Sequence, residues 1–99
     1  MTDAELDAKL ADLGLALPQA AAPVASYVPV VEAGGMAFVS GQLPFIDGQL
    51  VTGRLGEDVS EEQGYAAARA CGLMLVAQLK AAGLIGRVAR VVKLGAFVT

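Results

Sequence analysis

Histidine is missing from all 99 residues. Its absence removes Ser-His and Cys-His nucleophile pairs and leaves too few ligands for a structural or catalytic zinc site. Cysteine occurs once, at Cys71, so no intrachain disulfide forms and a reducing, cytoplasmic setting is expected. Basic runs are missing too. Arg54, Arg69, Arg87 and Arg90 are scattered and the formal charge is −3, which leaves nucleic acid no electrostatic footprint to follow. No apolar stretch approaches the ~20 uninterrupted residues of a transmembrane helix. Asp3, Glu5 and Asp7 at the start are the reverse of a signal or transit peptide. These absences set the first expectations: no metal or other cofactor, no nucleic acid partner and no membrane.

What is present is apolar. Hydrophobic residues make up 56% of the chain and charged residues 17%, which excludes disorder. The length suits one small domain, which buries roughly 60–70% of the surface its unfolded chain exposes. Much of the apolar content is Ala and Val, so some of it is expected to be buried against other subunits.

Thr2 to Gly14 reads as a short helix. Thr2 and Glu5 have capping-box spacing, Leu6, Leu10 and Leu13 form one stripe, and Gly14 suits the position after the C-cap. Leu17 to Val24, with Pro18 and Pro23 among alanines, reads as an extended connector. From Tyr27 the pattern turns to strands. Tyr27-Val28-Pro29-Val30-Val31 is the first, Gly34-Gly35 is turn chemistry, and Met36 to Ser40 is the second. Asp47-Gly48 is the strongest hairpin signal and is expected to pair Leu43–Ile46 with Gln49–Val51. Gly53 to Asp58 reads as a loop.

Ser60 to Leu84 contains the principal helix, with Ser60 and Gln63 at capping-box spacing and Gly83 as the stop. Tyr65, Ala68, Gly72, Leu75, Leu79 and Ala82 are expected to line its inner face, with Ala67, Cys71, Met74 and Gln78 beside them. Arg87 to Val98 reads as a long central strand, apolar on both faces near its end. Together these elements predict an α/β (α+β) domain, a sheet packed by helices.

Three features bear on chemistry. Gly41 in the Ser40-Gly41-Gln42 turn brings bare backbone within reach of a ligand, with its N–H and the Ser40 hydroxyl as donors; the same turn also fits an ordinary strand-to-loop bend. Cys71 lies mid-helix with no nearby base and reads as a small buried hydrophobe. Glu57, Asp58, Glu61 and Glu62 gather at a helix start, where the dipole favours carboxylates without a metal.

In order, Tyr27-Val28-Pro29-Val30-Val31, Phe38-Val39-Ser40-Gly41-Gln42-Leu43-Pro44, the Asp-Gly hairpin, the Ala-rich helix, Arg90-Val91-Val92-Lys93 and Phe97-Val98 resemble the Rid (reactive intermediate deaminase, YjgF-like) family, also labelled L-PSP endoribonuclease. The resemblance runs from about Ala25 to Thr99. It divides the chain into an N-terminal helix and connector (1–24) and an incomplete Rid-like domain (25–99). It implies a chorismate-mutase-like fold, a homotrimer with a cleft at each subunit interface, and hydrolysis of enamines and imines such as 2-aminoacrylate to a 2-keto acid and ammonia. By the same resemblance Tyr27, Ser40 and Gly41 line that cleft and Gln42 is structural. The family's carboxylate-binding arginine falls on a strand after a second helix, past Thr99, so these 99 residues are expected to be inactive or incomplete as a deaminase.

Two other functions fit the residues. One is a non-catalytic trimeric module that binds a small carboxylate or a protein. The other is a ribonuclease, which the acidic charge and the absence of histidine disfavour.

Overall fold

Each helix begins where a hydroxyl and a side chain three residues later exchange hydrogen bonds with each other's backbone. In the computed structural model, which describes residues 1–20 and 28–99, Thr2 Oγ1 accepts from the Glu5 N–H at 3.1 Å, and Glu5 Oε1 accepts from the Thr2 N–H at 3.0 Å. Helix α1, Asp3–Asp12, follows. Ser60 and Gln63 repeat the arrangement at 3.2 and 2.7 Å ahead of α2, Glu61–Ala81. Both helices also end alike. Gly14 and Gly83 take left-handed φ values of 70° and 73°, and the next N–H, of Leu15 or Leu84, reaches back to the carbonyl of Leu10 or Leu79. That is a Schellman end, satisfying carbonyls the helix leaves open.

Glycine pairs and Asp-Gly place the hairpins as expected. Gly34 and Gly35, at φ 60° and 75°, join β1, Val30–Ala33, to β2, Met36–Val39. The register sets Val30 against Val39 and Val31 against Phe38. Asp47 and Gly48, at φ 51° and 78°, join β3, Phe45–Ile46, to β4, Gln49–Leu50. Two left-handed central residues match the right-handed twist of the flanking strands. The second ladder is narrower than expected, although the Val51 N–H still donates to the Pro44 carbonyl at 3.0 Å. The sheets stay separate, each of two antiparallel strands.

Between β4 and α2 the loop closes on itself. Asp58 Oδ1 accepts from the Arg54 N–H at 2.6 Å, and Leu55 and Val59 form an isolated bridge. Past α2 the chain makes one 3-10 turn, Ile85–Arg87.

The core is thin. Leu6, Val59, Met74, Ala77, Leu84 and Ile85 are buried, and no described side chain falls below 2% exposure. The radius of gyration, 14.3 Å, exceeds the ~13 Å of a well-packed chain of this length. Helix α1 docks on this core: Leu6 is buried, α1 contacts the 3-10 turn, and Lys80 Nζ lies 3.1 Å from Asp7 Oδ1. Leu13, expected on the same stripe, is instead exposed, because the helix unwinds at that residue.

Three sequence expectations are corrected. The first strand begins at Val30, with Val28 and Pro29 outside any strand; Tyr27 and the second half of the connector lie outside the described residues. No strand forms over 88–99. A strand requires a neighbouring ladder to satisfy its backbone, and the described backbone and side-chain hydrogen bonds of 89–99 are confined to its last residue, where the Leu55 N–H donates to the Thr99 carbonyl and Thr99 Oγ1 donates to the Gly53 carbonyl. Val91, Val92, Leu94, Phe97 and Val98 are consequently exposed. The third correction is the rotation of α2. Tyr65 is 73% exposed and Ala68, Gly72 and Ala82 are exposed, whereas Leu75 and Leu79 are half-buried as expected; Ala67 and Cys71 are half-buried too, and the buried residues of the helix are Met74, Ala77 and Gln78. The apolar arc spans both stripes, so periodicity alone leaves the rotation open. The observed rotation buries Met74 and Ala77 and brings Cys71 and Gln78 to Gln42.

Candidate functional site

β2 delivers Ser40 to its end with the backbone still paired: the Ser40 N–H donates to the Pro29 carbonyl at 2.9 Å. The ladder then stops. Beyond Gln42 the Phe45 N–H donates to the Leu43 carbonyl at 3.0 Å, a tight turn centred on Pro44 that sends the chain into β3. Ser40-Gly41-Gln42 is thus held between two ladders that both contact α2.

Within the turn the three residues differ sharply. Ser40 and Gln42 are half-buried and Gly41 is exposed. Gly41 has no left-handed φ, and a Cβ built there meets nothing within 4 Å among the described residues. Glycine at 41 therefore leaves bare backbone facing open space.

Gln42 turns inward and is held at three atoms. Its Nε2 donates to the Ser40 carbonyl at 3.0 Å and to Ser40 Oγ at 3.4 Å. Its backbone carbonyl accepts from Cys71 Sγ at 3.6 Å, and its Oε1 accepts from Gln78 Nε2 at 3.4 Å. Gln78 is 4% exposed and is the one buried polar side chain among the described residues. This contact joins the turn to α2 across 36 residues.

Chemically, the turn offers a hydroxyl and a backbone N–H, which suits an oxygen acceptor such as a carboxylate. Cys71 adds no nucleophile. Burial pushes its thiol above the ordinary value of 9.0, so at neutral pH it is a neutral donor to the Gln42 carbonyl. Arg87, in the 3-10 turn after α2, pairs with Glu32 at 2.8 Å, and Arg69 is on the exposed side of α2. Among the described residues no three His, Cys, Asp or Glu gather as metal ligands, and no helix is long and apolar enough to cross a membrane. An open groove of about 430 Å³ between Leu17–Ala20 and the last turns of α2 is lined by none of the turn's residues.

The structure places Ser40 and Gly41 side by side on one turn; Tyr27 is outside the described residues. It adds Gln78, which the sequence marks only as an amide inside an apolar arc.

The surroundings of this turn recur in other proteins. A family model described as "YjgF/chorismate_mutase-like, putative endoribonuclease" matches residues 7–99. Protein TCP17 of Trypanosoma cruzi is 52% identical over 93 residues, covering 92% of this chain and 58% of that protein. A crystal structure described as a "putative endoribonuclease" from Shewanella oneidensis MR-1 superposes with a TM-score of 0.74 at 40% identity, over 82% of this chain and 55% of that one. Atu1372 of Agrobacterium tumefaciens, described as of unknown function, superposes with a TM-score of 0.65 at 40% identity, over 78% of this chain and 46% of that one. The chain therefore spans about half the length of the relatives it matches.

Proposed function

Because the chain belongs to the YjgF/chorismate-mutase-like family, we propose that its Ser40-Gly41-Gln42 turn is one wall of a cleft that takes up short-lived enamines and imines for hydrolysis. In that reaction 2-aminoacrylate tautomerises to its imine, water adds to the C2 carbon, and the carbinolamine expels ammonia to leave the 2-keto acid. The observation that carries the reading is an exposed glycine backbone beside a hydroxyl, on a turn whose third residue is pinned inward. Ser40 and Gly41 would orient the carboxylate or the C2 substituent, with Tyr27 as a further wall. Holding a substrate in one pose is itself a rate term.

The assembly that supports such a cleft is a homotrimer. Val31, Met36 and Phe38 share one face of the β1–β2 hairpin by register and are all exposed, an apolar surface suited to another subunit. On this reading the chain divides into an N-terminal helix and connector, 1–24, and a Rid-like domain, 25–99. A lone, half-buried thiol fits a cytoplasmic protein.

The test generates 2-aminoacrylate enzymatically and follows pyruvate and ammonia release. Acceleration is expected from a chain that also carries the carboxylate-binding arginine the resemblance places past Thr99, with Ser40→Ala reducing it about tenfold, the worth of one oriented hydrogen bond to a charged group. No acceleration by a folded protein, together with retained pyruvate binding, favours instead the non-catalytic binding module. That second reading draws on the same exposed apolar hairpin face. Cleavage of RNA in a parallel assay would favour neither, and the net charge of −3 without histidine argues against it.

A further inference from the structure

We infer that Gln78 is a positioning residue that sets the direction in which the Ser40 hydroxyl donates; the inference rests on the cleft reading above. Gln78 sits on α2, 36 residues from the turn, and its Nε2 donates to Gln42 Oε1 at 3.4 Å. Together with the Ser40 carbonyl, which can only accept, that contact fixes the orientation of the Gln42 amide. With Oε1 turned to Gln78, Nε2 faces Ser40 and donates to both its carbonyl and its Oγ. An amide flip would put two oxygens against each other at Ser40 and two nitrogens against each other at Gln78.

The consequence falls on the hydroxyl. Ser40 Oγ is an acceptor toward Gln42, so its own proton points elsewhere and is free for a ligand lying over Gly41. A cleft wall built this way offers donors, the Ser40 hydroxyl and the Gly41 N–H, and selects a ligand group that accepts. A 2-keto acid presents such oxygens and no donor. Both acids carry the same carboxylate, so the selection is exerted where the wall faces C2, at which a 2-amino acid carries an ammonium that cannot accept. Gln78 thereby contributes to discrimination between product-like keto acids and the corresponding amino acids without touching either.

Two variants of similar length, Gln78→Leu and Gln78→Met, remove the amide donor, so the test survives the loss of one of them. The first readout uses no ligand. In ¹⁵N spectra of the full chain, the Gln42 side-chain amide is expected to change shift and to lose exchange protection when Gln78 is replaced. An unchanged Gln42 amide in a folded variant overturns the inference, whatever the cleft binds.

The second readout is titration with pyruvate and with L-alanine. In the native sequence pyruvate binds more tightly, and Gln78→Leu weakens it about fivefold to tenfold while narrowing the preference over alanine. In the Ser40→Ala background, Gln78→Leu has no further effect on pyruvate. Equal weakening in both backgrounds would assign Gln78 a merely structural role and overturn the inference. If the native protein binds no pyruvate, the cleft reading fails, and the Gln42 amide still decides whether Gln78 positions the turn.

Discussion

A methyl group placed on Gly64 would stand 2.7 Å from Leu55 Cδ1, so the first turn of α2 and the loop before it meet at a position without a side chain. The same loop holds Gly53 at φ 133°, where a Cβ would lie 2.8 Å from both Asp58 Oδ1 and Val59 Cγ2. The two glycines are not equivalent.

At Gly64 the obstructing atom is the tip of a side chain that is 44% exposed and has room to swing away. Alanine there also recovers up to about 1 kcal/mol of helix propensity. Gly64→Ala is expected to change stability by less than about 1 kcal/mol, whereas Gly53→Ala combines a disfavoured φ with a clash against a hydrogen-bonded carboxylate and should cost about 1–3 kcal/mol. Urea titrations of both variants check this; equal midpoints would contradict it.

Removing a cap isolates a local term. Ser60→Ala leaves the Gln63 N–H without its acceptor and should lower stability by about 1 kcal/mol with the denaturant slope unchanged. Thr2→Ala removes the corresponding contact on α1. Its effect should be confined to hydrogen exchange in α1, since that helix docks through Leu6 and one exposed ion pair.

The α1 cap also predicts a pH dependence. Hydrogen bonds from the Thr2 backbone and then its side chain, with help from the N-terminal charge, hold the Glu5 carboxyl below its ordinary value of 4.5. A carboxyl with a depressed folded value stabilises fully above its unfolded value and loses that contribution as pH falls through the folded one. Exchange protection at the start of α1 should therefore be constant above pH 5 and fall in the acid range below 4.5. Glu5→Gln keeps an acceptor for the Thr2 N–H and should abolish the pH step; an unchanged step in that variant would show that another group titrates.

Cys71 should be slow to react. Burial raises its thiol above 9.0, so the thiolate fraction at pH 7.5 is smaller than that of a free thiol, and access is restricted as well. Iodoacetamide should modify it several-fold more slowly than glutathione. Cys71→Ala should lose the weak Sγ donor to the Gln42 carbonyl while leaving the Gln42 side-chain contacts with Ser40 and Gln78 in place.

Much of this chain was legible before any coordinates. Capping-box spacing, Gly14 and Gly83, Gly34-Gly35 and Asp47-Gly48 act through bonds and dihedrals within a few residues, so their signals sit wholly in local sequence. Both helices and both hairpins accordingly stand where those residues put them. The Ser40-Gly41-Gln42 turn was legible for the same reason.

Tertiary structure decided what depends on a partner distant along the chain. An apolar arc wide enough to bury either of two stripes does not choose between them, and α2 took the stripe that lets Cys71 and Gln78 reach Gln42. The apolar run from Val88 to Val98 reads as a strand, yet a strand exists only where a neighbour completes its ladder, and here 88–99 forms none. By itself the sequence determined where this protein turns. Only the packing of α2 determined that Gln42 faces inward and meets Gln78, because a hydrogen bond between residues 36 positions apart has no local signature.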